Sequence, residues 1–76
     1  MNLEDAKQSL NDYITNGWQP GSFLVAVLSN DLFDAISLAD DDSRRNLSKI
    51  VDWVDNNVPS NLYGTREKVS NHLKGF

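Results

Sequence analysis

The 76 residues amount to one small domain at most, with 39% apolar residues to build a single core, and a chain this short buries only about 60% of the surface its unfolded form exposes. Cysteine is absent, which removes disulfides and thiolate metal sites as supports for that core. A net charge of −4 and a pI of about 4.6 argue against a general binder of nucleic acid or anionic membrane. The longest apolar run, from Phe23 to Leu28, is far too short to cross a bilayer, and Met1-Asn2-Leu3-Glu4-Asp5 lacks the basic start of a signal peptide. The expectation is a soluble protein.

Leu3, Ala6, Leu10, Tyr13 and Ile14 recur at the spacing of a helix with one apolar stripe, which predicts a first helix from Leu3 to about Asn16. Asn2 suits its N-cap, Glu4 and Asp5 complement the dipole, and Gly17 supplies a left-handed stop, with Trp18 placed for a Schellman contact. Gln19-Pro20-Gly21 reads as a turn, and Ser22 as a cap for the next element. Phe23-Leu24-Val25-Ala26-Val27-Leu28 has the length of a buried strand as well as of a helix. Helix is chosen because no other segment alternates with period two, and a lone strand would bury unpaired backbone groups. Being apolar on every side, it belongs at the centre of the domain.

Asn30 tolerates the left-handed conformation, and Asp31 can cap a third helix carrying Leu32, Ala35, Ile36 and Ala39. The acidic stretch Asp40-Asp41-Asp42 precedes a fourth helix, from about Asp41 to Asn56, with Leu47, Ile50, Val51, Val54 and Val58 in register and Pro59 beyond its end. Pro59 to Gly64 reads as a loop anchored by Leu62 and Tyr63. Thr65 caps a last helix with Val69 and Leu73 inward, ending near Gly75. The fold class is all-α, a single domain over residues 1–76 of about five short helices, with Leu24, Val27, Leu28, Leu32, Ile36, Leu47, Ile50, Val51 and Val54 as the expected core.

Chemistry is sparsely represented. His72 is the only histidine, so multi-histidine metal sites are excluded, and a Ser-His-Asp triad would have to use a residue expected to sit exposed on the last helix. The four glycines are scattered, and no phosphate loop exists. Asp40, Asp41 and Asp42 invite a cation, yet the ligand order of a calcium loop is missing and an N-cap with dipole complement explains them better. The sequence therefore predicts no enzyme, no cofactor and no metal. Arg44, Arg45 and Lys49 make a small basic patch, read as a solvated face paired with Asp41, Asp42 and Asp52. A helix-turn-helix reading would set those aspartates against the phosphates. Trp53 lies off the apolar stripe and is expected to cover another element, such as the turn bearing Trp18; Trp18, Trp53 and Tyr63 become contact candidates wherever they are exposed.

The stretch Gly17-Trp18-Gln19-Pro20-Gly21-Ser22-Phe23-Leu24-Val25-Ala26-Val27-Leu28-Ser29-Asn30-Asp31-Leu32, with Ala35, Ala39-Asp40, Ile50-Val51-Asp52-Trp53, Asn57, Pro59-Ser60 and Gly64-Thr65, resembles a group of short tailed-bacteriophage and prophage proteins with no assigned activity. The likeness runs over about residues 13 to 73. It departs at Ser22, where relatives often carry glycine, and at Tyr63-Gly64-Thr65, where they often carry Trp-Gly-Ser. It implies a phage setting, hence the cytoplasm of an infected bacterial host, and carries over no functional residues. In that setting the expected function is a host-takeover or anti-defence protein that binds and inhibits a host protein, such as an anti-CRISPR-type blocker of a nucleic-acid-binding complex. The alternatives are a helical DNA-binding regulator using Arg44, Arg45 and Lys49, and a minor virion or scaffold component. The expected partner surface is acidic, made of Asp31, Asp34, Asp40, Asp41, Asp42, Asp52 and Asp55, with Trp18, Trp53 and Tyr63 as the alternative surface. These aspartates also read as caps and solvated charge. The partner is expected to be a host protein, with no direct nucleic acid or membrane contact, and the chain itself a monomer or weak homodimer.

Overall fold

The computed structural model describes residues 1–75, and among them every regular element is helical. The α-helices are α1 (Leu3–Asn16), α2 (Ser22–Leu28), α3 (Leu32–Leu38), α4 (Asp41–Asn57) and α5 (Arg66–Lys74), with one 3₁₀ turn at Ser60–Leu62. The domain is all-α, as the sequence predicts. Among the described residues no helix is long and apolar enough to cross a membrane.

The helices begin where short polar side chains can satisfy their first N–H groups. Asn2 Oδ1 accepts from Asp5 N at 2.8 Å, Asp31 Oδ1 from Asp34 N at 3.1 Å, Asp40 Oδ1 from Ser43 N at 2.7 Å and Thr65 Oγ1 from Lys68 N at 3.1 Å. The exception is α2, capped by Gly21 without a side chain; Ser22, expected as the cap, is its first helical residue. Gly21 also keeps a negative φ of −61°, so residues 17–21 form an irregular link instead of a glycine turn. Gly17 ends α1 at φ 65°, and its N–H donates to Tyr13 O at 3.1 Å, the single bond of an αL cap in place of the Schellman pattern. The hydrophobic contact expected of Trp18 is not made either, because Trp18 is 62% exposed.

The longest helices, α1 and α4, pack on each other; α2 packs on α3 and on α5, and α5 covers the 3₁₀ turn. Leu10, Tyr13, Leu24, Leu28 and Ile50 are fully enclosed where these layers meet. The all-apolar α2 lies at the centre as expected, with Phe23, Leu24, Ala26 and Leu28 buried. Tyr13 ties the layers together: its hydroxyl donates to Leu62 O at 2.8 Å, and burial pushes its pKa up to about 12. His72, expected to be exposed, is half-buried. Its ring meets Tyr13 edge-on with centroids 4.6 Å apart, and its Nε2 donates to the Tyr13 carbonyl at 2.7 Å.

Three expected core residues lie outside: Leu32, Ile36 and Val51 are 64%, 38% and 45% exposed. α3 meets α2 through Ala35, its one buried residue, and its other apolar residues, Leu32, Phe33, Ile36 and Leu38, are exposed. α4 faces α1 with Ser43, Ile50 and Val54 buried and Trp53 packed against the core in the place expected for Val51. An indole shields more surface than an isopropyl group, so the rotation that turns Trp53 inward leaves Val51 outside. The expected cover for another element is therefore supplied by Trp53, while Trp18 stays exposed.

Candidate functional site

Turning Leu32, Ile36 and Val51 outward creates one apolar face between α3 and α4. Leu32 and Val51 line the same open groove of about 220 Å³, together with Val27, Ala35 and Leu47. Ile36 follows Leu32 by one helical turn on the same side of α3, and Phe33 beside it is 85% exposed. A second hollow of about 320 Å³ adjoins the first, sharing Val27, Asn30 and Val51, and is bounded by Asp52, Asp55 and Tyr63. Asn30 is held at φ 60° between them, where the chain turns from α2 to α3. The floor of this face is aliphatic and its far rim carboxylate.

The seven aspartates expected to form one acidic surface are treated very differently by the fold. Asp31 and Asp34 both accept from Arg66 Nη2, at 2.7 and 2.9 Å, which neutralises much of their field and holds the Asp31 carboxyl below its ordinary range. Asp40 is consumed by its helix cap and by the Met1 ammonium at 3.0 Å; the Ser43 N–H above all, then the ammonium, lowers its pKa to about 2. Asp42 pairs with Arg45. Asp41, Asp52 and Asp55 meet no cation among the described residues, and Asp55 accepts the Tyr63 hydroxyl at 3.2 Å. Partial burial, with the carboxylate beside it, raises the Tyr63 pKa. Along α4, Asp41 and Asp52 are eleven residues apart, about 16 Å of helix, so the acidic cap and the groove rim are separate places. Because α3 packs on α2 and α4 on α1, the hairpin that would gather all seven on one side is not the main packing. What remains is a short acidic rim, Asp52 and Asp55, along an apolar groove.

The basic patch stays exposed, as a solvated face. Arg44 donates to Ile36 O at 3.3 Å and Arg45 pairs with Asp42, while Lys49 is exposed on α4. Of the alternative aromatic surface, Trp53 packs on the core, Tyr63 is half-buried at the second hollow, and Trp18 stands in the link between α1 and α2. Between α2 and α5 lies a further open hollow of about 440 Å³, lined by Val25, Ser29, Val69 and Leu73 with Arg66 and Lys74 at its edge. The Ser29 hydroxyl is buried there without a hydrogen-bond partner. No group of three or more side chains able to hold a metal ion occurs among the described residues.

No protein-family model matches this chain, nor does any curated protein or solved structure. Leu32, Phe33, Ile36 and Val51 do not stand out as exposed in the sequence, because the periodicity assigns three of them to the core. One signal was available: five of the seven α3 residues are apolar, too many for a two-turn helix to bury against one neighbour.

Proposed function

We propose that this chain is a binding protein that inhibits a host nucleic-acid-handling complex, in the manner of an anti-CRISPR-type blocker, by docking its α3–α4 face on that complex. The observation that carries the reading is that exposed Val51 shares one hollow with exposed Leu32 and the adjoining hollow with the carboxylates of Asp52 and Asp55, which meet no cation among the described residues. A domain this small keeps large apolar side chains out of its core at a cost in solubility, and a contiguous patch of them marks a contact surface. Burying the patch supplies affinity, while the acidic rim steers the protein toward basic surfaces of the kind that hold nucleic acid. The resemblance to phage proteins supports a host component as the target.

The experiment is affinity capture from a bacterial lysate with the wild type and with the double variant Leu32→Ser/Val51→Ser, followed by a nucleic-acid-binding assay on what is recovered. The reading expects a nucleic-acid-handling complex held by the wild type only, whose nucleic-acid binding falls as the protein is added. A partner retained equally by the variant, or one that binds nucleic acid undiminished in its presence, overturns it.

A further inference from the structure

We propose that the groove between α3 and α4 receives a basic amphipathic helix of the partner, apolar side chains seated in the two adjoining hollows and lysine or arginine flanks set against Asp52 and Asp55. This rests on the reading of the α3–α4 face as a protein-binding surface, and specifies what the face binds. The hollows of about 220 and 320 Å³ meet at Val27 and Val51, so that side chains one helical turn apart on an incoming helix occupy them in succession. Leu47 and Val51 stand inside α4, where their N–H and C=O groups are spent within the helix, and Leu32 at the start of α3 leaves at most an isolated free N–H, so the walls offer no row of backbone donors and acceptors. An added strand has no ladder to pair with there; a helix, which satisfies its own backbone, does not need one.

Charge selects the sign of the helix flank. Arg66 offsets one of the two carboxylate charges on the Asp31–Asp34 side, whereas Asp52 and Asp55 keep both of theirs, meeting no cation among the described residues. A second copy of this chain is a poor occupant. It carries a net charge of −4, so two copies repel each other as they approach. A stable interface buries roughly 800 Å² per partner, more than a handful of apolar side chains such as Leu32 and Val51 present, so a polar contribution from the rim is needed. A cationic flank provides that contribution and an acidic one does not.

Two synthetic helical peptides test the proposal. Both carry leucine at i, i+3, i+4 and i+7; one is flanked by lysine, the other by glutamate. They are titrated at low ionic strength into the isotopically labelled full chain and followed by amide chemical shifts. The lysine peptide is expected to move the signals of Val27, Leu32, Leu47 and Val51 saturably, and the glutamate peptide to leave them in place. Asp52→Asn/Asp55→Asn is expected to weaken the lysine peptide about tenfold and to flatten its salt dependence. Asp41→Asn/Asp42→Asn, which removes the same formal charge from the other end of α4, is expected to change the affinity less than twofold. Equal binding of the two peptides, shifts centred on the α2–α5 hollow, or an equal loss from the two charge-removal variants overturns the proposal. Concentration-dependent broadening of the groove signals without peptide does so as well, and identifies a second copy as the occupant. A captured partner that depends on Leu32 and Val51 while the peptides leave the groove untouched sinks this inference alone; a partner indifferent to those residues sinks the protein-binding reading with it.

Discussion

Replacing Tyr13 by phenylalanine removes a single oxygen from a fully buried side chain and leaves its ring against His72. The lost hydrogen bond to Leu62 O, 2.8 Å long, is the one that fastens the 3₁₀ turn to α1. A neutral hydrogen bond contributes about 0.5–1.5 kcal/mol net, and because Leu62 is only half-buried, water can reach its carbonyl once the phenol is gone. The expected cost is therefore about 1 kcal/mol. A domain of this length has a total stability of about 4–11 kcal/mol, so the unfolded fraction rises about fivefold while the protein still folds. Urea denaturation followed by far-UV circular dichroism reads this as a lower midpoint at unchanged slope. The same variant checks the alkaline side. Burial holds the Tyr13 phenol at about 12 against 10.0 when free, so its contribution is intact below about pH 10 and lost as pH rises through 12. Tyr13→Phe removes that alkaline loss. A midpoint within 0.3 kcal/mol of wild type by the net hydrogen-bond scale, with the alkaline loss unchanged, would refute the assignment of Tyr13 as the tie between these layers.

Adjacent apolar positions should respond in opposite ways. Leu28→Ala and Ile50→Ala, both at fully enclosed sites, cost about 2–5 kcal/mol and bring the domain close to unfolding, whereas Leu32→Ser and Val51→Ser shift the urea midpoint by less than about 0.5 kcal/mol. Similar losses from both pairs would contradict the outward placement of the α3–α4 face. Ser29→Ala should leave stability unchanged or raise it by up to about 1 kcal/mol, since it removes a buried hydroxyl without a partner; a clear loss in the same denaturation assay would mean that the hydroxyl is bonded. Acid should weaken the fold at α4 first. The Asp40 pKa, lowered from 3.8 to about 2, contributes stability that is complete above about pH 4 and lost as pH falls toward 2, and the lowered Asp31 pKa acts in the same direction. Asp40→Asn should flatten the fall in unfolding midpoint between pH 4 and pH 2, and an unaltered slope would show that the Met1 and Ser43 contacts do not act on it.

The boundaries of the helices were legible because local chemistry decides them. Asn2, Asp31, Asp40 and Thr65 cap their helices through side chains adjacent in sequence, and Gly17 and Asn30 mark the left-handed residues. Which apolar residues turn inward was legible only where a stripe had a single solution, as with Ala6, Leu10 and Tyr13 on α1. On α4 the stripe held at Ile50 and Val54 but not at Val51, because Trp53, off the stripe in sequence, packs against the core. The acidic surface was readable as composition but not as geometry. Arg66 lies 35 residues from Asp31 in sequence, and nothing local announces that it pairs with Asp31 and Asp34 together. The Tyr13–His72 contact, 59 residues apart, was hidden for the same reason.

The central claim is that the α3–α4 face, and not the acidic cap of α4, is where this protein meets its target. Calorimetric titration of the captured host partner tests it most directly, comparing wild type with Leu32→Ser/Val51→Ser and with Asp41→Asn/Asp42→Asn at equal helicity. The account predicts that the first pair abolishes the binding heat and that the second leaves the affinity within about twofold, as expected for exposed charges about 16 Å from the rim. Binding retained by the first pair and lost in the second would place the contact at the α4 cap and contradict the account.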